Sequence, residues 1–279
     1  MYKIVQREVL SKDVVKLVIT ADRISKSRKA GQFVIVKLGE KGERIPLTIA
    51  DSDSEKGTIT LIIQKVGLTS HKFFTIKEGE EVTDIVGPLG LPTHVKKVGT
   101  IIAAGGGVGI APLYPIAKAF KEAGNKLIVI LAARNKDLII LEKEMREFAD
   151  EVLIYTDDGS AGTKGLVTSG VEHVINRENV DEVITIGPAV MMKFVALLTK
   201  KYNIHTLASL NTIMVDGTGM CGACRVTVGG STKFVCVDGP EFNAHEVDFD
   251  EMLQRLGAYV EQEKIAYENF LKGSDGGAE

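Results

Sequence analysis

From Met1 to about Lys96 the apolar positions come in short, β-branched runs. "DVVKLVITAD", "GQFVIVKLGE" and "GTITLIIQKVG" are separated by Gly, Asp and Ser, the punctuation of strands and turns. In "QFVIVKL" Phe33, Ile35 and Lys37 alternate with Val34, Val36 and Leu38, so one face is not cleanly polar. Several such strands without a long helical period predict a small antiparallel β barrel. The pattern changes at Val98. "VGTIIAA" reads as a buried parallel strand running into "GGGVGIAP", and a helix over "LYPIAKAFKEAG" follows, closed by Gly124. Next come strand "KLIVILAA", helix "LIILEKEMREFA", strand "EVLIYT", helix "TSGVEHVI", strand "EVITIG", helix "AVMMKFVALLTKK" and strand "IHTLAS". Strands alternating with helices of this length predict a doubly wound parallel α/β sheet.

Residues from about Leu210 to Glu246 lose that rhythm. After them "DFDEMLQRLGAYVEQEKIAYENFL" reads as one amphipathic helix with Phe249, Leu253, Leu256 and Val260 on a face. Asp248 is its expected N-cap and Glu251 completes a capping box. The tail "GSDGGAE" is expected to fray. The chain thus divides into a barrel over 1–96, an α/β domain over 97–209, a third segment over 210–247, and a C-terminal helix and tail over 248–279.

Composition narrows the function classes. At 279 residues the chain can hold two or three cores, and its formal net charge of −3 carries no basic stripe. Nucleic acid and anionic membranes are therefore not expected partners. No apolar run reaches the roughly 18 residues of a membrane span, and "MYKIVQREVL" lacks a signal-peptide core, so a soluble cytoplasmic protein is expected. Three clustered cysteines point to metal chemistry in a reducing compartment rather than to disulfides. The absence of Trp and the abundance of Lys, Glu, Ile and Val lean towards a thermophilic source.

The candidate chemistry lies in the turns. "GGGVGIAP" contains Gly105 and supplies Gly107-x-Gly109-x-x-Pro112 at the start of a helix. Its glycines let backbone approach a phosphate, and the helix N-terminal amides can hold a pyrophosphate. A tight strand-to-helix turn without ligand has the same composition; the further α/β units favour a nucleotide. "IGPAVMM" places Gly187 and Pro188 at a second such turn, which would face the same crevice, with Met191 and Met192 as core residues of the following helix. Asp157 and Asp158 in "YTDDGSAGTKG" suit either a ribose or nicotinamide contact or a solvated turn. In the barrel, "ERIPLTIAD" offers Arg44 for a pyrophosphate and Thr48 for a flavin ring, with Pro46 and Leu47 between them. "VGLTSHKF" adds Gly67, Thr69 and Ser70 before a short helix, a second phosphate cradle, and "VGPLG" is a rigid turn of unassigned purpose.

The cysteines stand in "DGTGMCGAC" and at Cys236. Plant-type [2Fe–2S] centres use Cys-x4-Cys-x2-Cys and a more distant Cys. Cys221, Cys224 and Cys236 fill three of those places, and Asp216 falls where the first cysteine would be. A carboxylate oxygen is a hard ligand and suits Fe(III). The alternatives are a structural Zn²⁺ held by three thiolates with Asp216 or His245, and an Asp216 that is only a turn residue, with water or Asp238 as fourth ligand.

Barrel, doubly wound domain and C-terminal cluster, in that order, resemble the ferredoxin–NADP reductase superfamily. More narrowly, the chain is similar to the electron-transfer subunit of dihydroorotate dehydrogenase B. "DGTGMCGACRVTV" with "VCVDGPEFNAHEVDF" most resembles one branch, the small subunits of NADH-dependent reduced ferredoxin:NADP oxidoreductases, also described as sulfide dehydrogenases. In that branch an aspartate stands where the dihydroorotate enzyme has its first cluster cysteine. The resemblance implies FAD on the barrel at Arg44, Pro46, Leu47, Thr48, Gly67, Thr69 and Ser70. It implies NAD(H) at Gly105 to Pro112 and at Gly187-Pro188, and a [2Fe–2S] cluster on Asp216, Cys221, Cys224 and Cys236. It also implies a heterodimer with a larger glutamate-synthase-like flavoprotein carrying FAD and [4Fe–4S] clusters, which bifurcates electrons to ferredoxin and NADP. No side chain is then expected to act as catalytic acid or base, because the redox chemistry belongs to the cofactors. Two departures from the superfamily's Arg-x-Tyr-Ser motif are visible: Arg44 lies four residues before Thr48, and Leu47 replaces the aromatic residue. Arg134, after the second parallel strand, leaves NADPH open. Three other functions fit: a dihydroorotate dehydrogenase subunit, a stand-alone polysulfide or ferredoxin reductase, and a zinc-stabilised nucleotide sensor without flavin.

Overall fold

The computed structural model describes residues 2–275. The first unit comprises β1 (Tyr2–Ser11), β2 (Val14–Thr20), α1 (Asp22–Ser27), β3 (Phe33–Lys37), β4 (Arg44–Thr48), β5 (Asp51–Asp53), β6 (Thr58–Gln64), α2 (Leu68–Thr75), β7 (Glu81–Val82) and β8 (Asp84–Leu89). Its antiparallel strands form two sheets, ordered β5-β6-β2-β1-β7 and β4-β3-β8, that enclose one core. They wrap that core as two sheets and not as one continuously bonded cylinder. Ile4, Leu17, Ile19, Val34, Val36, Ile59 and Leu61 supply the interior. Strand β3 explains its own lack of a polar face. Val34 and Val36 point into this core, whereas Phe33 and Ile35 point the other way and pack with Cys224, Cys236 and Phe242. Burying each of those two outward side chains is worth about 2–3 kcal/mol.

The second unit runs through β9 (Thr100–Gly106), α3 (Ile110–Glu122), β10 (Lys126–Ala133), α4 (Glu142–Arg146), β11 (Glu151–Thr156), β12 (Thr163–Lys164), α5 (Val167–Ile175), β13 (Glu182–Ile186), α6 (Ala189–Lys201) and β14 (His205–Ser209). The chain then forms β15 (Arg225–Val228), β16 (Ser231–Phe234), α7 (Val235–Asp238), β17 (Glu241–Asn243), α8 (Phe249–Leu256) and α9 (Val260–Asp275). The large sheet is ordered β12-β11-β10-β9-β13-β14-β17, parallel except for β17, which runs antiparallel to β14. Side chains alternate across β9: Ile101 and Ala103 pack under α3, Ile102 and Ala104 under α5. This covering of both faces is why its sequence is apolar throughout. Strand order reverses between β9 and β13, which makes the ends of these two strands the switch point where such sheets bind ligands.

Three expectations about helices are corrected. The stretch "LIILEKEMREFA" is not one helix. Ile139 is extended, Ile140 is buried and Leu141 adopts a left-handed φ of 56°, so only Glu142–Arg146 coils. Burial of Ile140 outweighs helix propensity here. The C-terminal helix is two helices, broken at Gly257–Tyr259, and Val260 is exposed instead of sharing the face of Phe249. Asp248 does cap α8, accepting from the amides of Asp250 and Glu251. Glu251 does not close the box; its carboxylate instead accepts from Thr227 N at 3.0 Å and ties α8 to β15. The last four residues of "GSDGGAE" lie outside the described residues.

Candidate functional site

Three turns and one strand gather the proposed cofactor-binding residues. At the switch point the 3₁₀ turn Gly107–Gly109 leads from β9 into α3, with Pro112 in the helix's first turn. A Cβ on Gly109 would stand 2.5 Å from Ile186 O and 2.7 Å from Gly187 Cα, and one on Gly106 would collide with Met191 Sδ. The Gly105–Gly109 and Gly187–Pro188 turns therefore touch, as their positions after parallel strands suggested. Gly107, at φ 55°, has open space where a Cβ would be, so a ligand can approach its backbone. These observations fit a dinucleotide at the N-terminus of α3. Met192 is fully buried and Met191 packs behind the crevice, both as core. Asp157 and Asp158 lie further along the sheet, at the end of β11 with β10 between them and β9. Asp158 accepts from Ser160 N at 2.9 Å, and hydrogen bonding to Ser160 holds its carboxyl below the usual range, so it shapes this turn.

In the first unit, Arg44 begins β4 and lies 3.4 Å from Asp84. Pro46, Leu47 and Thr48 pair with Ile35, Val34 and Phe33 of β3. Gly67 is the N-cap of α2 and has open space where a Cβ would sit. Ser70 Oγ accepts from the amides of Val66 and Gly67, each at 2.9 Å, which fixes the turn. Thr69 donates to Glu43 at 2.6 Å and so joins α2 to the residue before Arg44. The two halves of the candidate flavin site, distant in sequence, are held together by that bond. An open glycine N-cap with an arginine nearby fits a diphosphate.

The third segment places its four donors as two pairs. Asp216 Oδ1 is 3.4 Å from Cys221 Sγ, and Cys224 Sγ is 3.2 Å from Cys236 Sγ. Among the described residues no three Cys, Asp, Glu or His side chains surround one point as a single ion requires. Two pairs suit two irons, one pair each, better than one tetrahedral zinc. The competing fourth ligands are engaged elsewhere: His245 Nε2 bonds Thr199 Oγ1 at 3.0 Å and Asp238 accepts from Phe234 N at 2.7 Å. Asp216 accepts from the amides of Thr218, Met220 and Cys221, and these bonds, Thr218 foremost, depress its pKa. The Cys221 thiol points its hydrogen at Oδ1; losing that proton on ligation vacates the lone pair an iron would use. Burial, then the bond with Cys224, pushes the Cys236 thiol up to about 12, so it stays neutral until a metal displaces its proton.

Gly217, Gly219 and Gly222 were expected from the sequence to let this loop bend; what the sequence did not show is the seat on which it rests. A Cβ on Gly217 would lie 2.7 Å from both Ile35 Cγ1 and Leu89 Cδ1, so the loop rests directly on β3 and β8. "VGPLG" thereby gains a purpose, because Leu89 is part of that seat. Leu91 N donates to Gly239 O at 2.6 Å and Thr93 Oγ1 to Glu241 Oε1 at 2.5 Å, fastening the segment to the end of the first unit. The signal was available in the outward face of "QFVIVKL", but what covers that face was not.

Comparison with known proteins agrees with this division of labour. Residues 1–94 match an oxidoreductase FAD-binding domain and residues 103–197 an oxidoreductase NAD-binding domain. Residues 211–248 match the iron–sulfur cluster binding domain of dihydroorotate dehydrogenase B. The fold and these domains define an oxidoreductase with sites for FAD, NAD and an iron–sulfur cluster. A Thermotoga maritima protein described as a dihydroorotate dehydrogenase B (NAD(+)) electron transfer subunit homolog is 51% identical over 97% of this chain and 95% of its own. The Fusobacterium nucleatum electron transfer subunit is 33% identical over 86% of this chain and 95% of its own. The chain belongs to the family of dihydroorotate dehydrogenase B electron transfer subunits and their homologues. A solved structure of the NADH-dependent reduced ferredoxin–NADP oxidoreductase, which bifurcates electrons on flavin, matches at TM-score 0.92 and 49% identity, covering 97% of this chain and 98% of that one. Phthalate dioxygenase reductase shares the fold alone, at TM-score 0.57 and 17% identity over 81% of this chain and 85% of its own. Among the described residues no helix is long and apolar enough to cross a membrane.

Proposed function

We propose that the chain is the electron-transferring subunit of an NADH-dependent reduced ferredoxin–NADP oxidoreductase, and that it acts in the cytoplasm. The observation carrying this reading is the agreement of the whole chain, cluster segment included, with such an enzyme at TM-score 0.92. When bound, FAD exchanges hydride with nicotinamide and passes electrons singly, while a [2Fe–2S] cluster carries one at a time. The protein's own contribution is placement. The turns Gly105–Gly109 and Gly187–Pro188, with α3, would hold NAD(H) at the switch point. Arg44, Pro46, Leu47, Thr48 and the Gly67–Ser70 cradle would hold FAD. Asp216, Cys221, Cys224 and Cys236 would hold the cluster. Strand β3 links the last two sites: it is hydrogen-bonded to β4, and its Ile35 supports the Asp216 loop. No proton transfer by a side chain is required.

The partner in this reading is a larger glutamate-synthase-like flavoprotein with its own FAD and [4Fe–4S] clusters, which takes the electrons on to ferredoxin and NADP. Service to a dihydroorotate oxidase is the second reading, supported by the cluster-domain match. Asp216 at the first ligand position favours the first. The test is anaerobic assay of iron, sulfide, zinc and flavin in the full chain, with EPR after dithionite and then pairing with each partner. One FAD and one [2Fe–2S] cluster per chain, a spin-half signal altered by Asp216→Cys, and activity with the glutamate-synthase-like partner are expected. Zinc without flavin would overturn the proposal, and activity only with a dihydroorotate oxidase would select the second reading.

A further inference from the structure

Helices α8 and α9 lie beyond residue 248, where the match to the cluster-binding domain ends. Helix α8 has an evident structural purpose, burying Phe249 and Met252 on the cluster segment. Helix α9 does not. Of residues 260–273 every side chain is exposed except Tyr267 and Phe270, which are half-buried. Those two reach back to the first unit. Tyr267 OH is 3.0 Å from His71 Nδ1, and the two rings meet edge to face at 5.8 Å. Phe270 meets the His71 ring at 5.4 Å, and Lys72 Nζ stands 5.7 Å from the Phe270 ring centre. A polar sixteen-residue helix is marginal alone, so this patch is a principal determinant of where α9 lies.

The other side of the contact matters more. His71 directly follows Ser70 on α2, a helix of eight residues whose N-terminus is the Gly67–Ser70 turn. We propose that α9 is a clasp on the FAD-holding helix, with Tyr267, Phe270 and His71 as positioning residues for the diphosphate cradle. This rests on the assignment of FAD to that cradle. A two-turn helix braced at its midpoint has less freedom to lose when its N-terminal amides receive a ligand, so the clasp lowers the entropic cost of binding. It also explains why a strap that begins at Gly257, beside the cluster segment, ends on the flavin side of the molecule.

The test is the rate of FAD release from the full chain, from the chain ending at Tyr259, and from Tyr267→Phe, Phe270→Ala and His71→Ala variants. Flavin fluorescence after dilution reads release, with cluster content measured alongside. Truncation is expected to speed release roughly tenfold and Tyr267→Phe roughly threefold, at unchanged cluster content. Tyr267→Phe added to His71→Ala should do little more than His71→Ala alone, because the bond it removes is already gone with the imidazole. If the helix merely added stability, its loss would lower the melting temperature of the FAD-free chain and leave release at fixed temperature unchanged; that result overturns the clasp. If truncation prevents folding, Tyr267→Phe, which keeps the ring, decides. FAD bound tightly by every variant would sink the clasp and leave the FAD site standing, whereas a full chain that takes up no FAD would remove both.

Discussion

Two glycine-rich segments use the same residue for opposite ends. In the Gly105–Gly109 turn the glycines are required by what crowds them: backbone of Ile186 and Gly187 against Gly109, Met191 against Gly106. The turn is moulded by the folded core and keeps its shape without a ligand. In the candidate cluster loop Gly217, Gly219 and Gly222 have φ of 74°, 85° and 65°, and their task is to bend the chain around the Asp216 carboxylate. Only Gly217 abuts the core, Gly222 meets no atom nearer than 3.6 Å, and Met220 is 89% exposed. That loop is held by the Asp216 carboxylate. The candidate nucleotide turn is thus part of the folding core, while the candidate cluster loop takes its shape from hydrogen bonds to one carboxylate.

Gly109→Val would break this contrast most forcefully if it proved harmless. The contacts it forces are to backbone, which cannot swing aside, so a loss of about 3 kcal/mol or more is expected. NADH binding should vanish with it. Gly222→Ala, by comparison, strains only a left-handed turn at about 1–2 kcal/mol and does so locally. Thermal unfolding and NADH titration of the two variants, with iron content, check the difference: the first should lose stability and nucleotide, the second iron.

Glu241 sharpens the comparison, because it shows that the base of the cluster segment is as deeply built as the nucleotide turn. Burial raises its pKa from the ordinary carboxyl range to about 7, against the opposing pull of the Thr93 hydrogen bond and with Glu182 adding to the rise. With the folded pKa above the unfolded one, the folded chain keeps a proton that the unfolded chain has lost. Stability should therefore fall as pH rises from about 4.5 to 7, by up to about 3 kcal/mol, and level off above. Glu241→Gln should flatten that slope and be the more stable chain at pH 8. Parallel slopes in the two proteins would show that the carboxyl is not buried as described.

Periodicity made the order of units legible: β6, β10, α6 and β14 lie where their patterns placed them. The helix over 138–149 was misplaced because Ile139 and Ile140, after a 3₁₀ turn that ends at Leu138, serve the core as extended chain, and a short apolar run carries no mark of period. The break at Gly257 was hidden by a continuous polar–apolar rhythm whose later half has almost nothing to bury against. Spacing picked out four candidate donors but could not show that they stand as two pairs. The contacts of Gly217 with Ile35 and Leu89, and of His71 with Tyr267, join residues 128 to 196 positions apart, and no local pattern encodes such pairs.

The smallest global effect should come from Asp216→Asn. The residue is half-buried and its bonds stay within one surface loop, so thermal stability should move by no more than about 1 kcal/mol. The local effect should be large. An amide keeps one acceptor oxygen but replaces the other with a donor that faces the N–H groups of Met220 and Cys221, which now point at Oδ2. The loop must then either turn the amide, withdrawing an oxygen from the Cys221 side, or leave those amides unmatched. Turned, the side chain loses the oxygen that faces Cys221; unturned, it loses the loop bonds that hold that oxygen in place, while Cys224 and Cys236 stay buried in their core. Iron content and EPR at unchanged melting temperature read this directly. An intact cluster with an unaltered signal would mean that the aspartate only shapes the turn and that the first iron finds its fourth donor elsewhere.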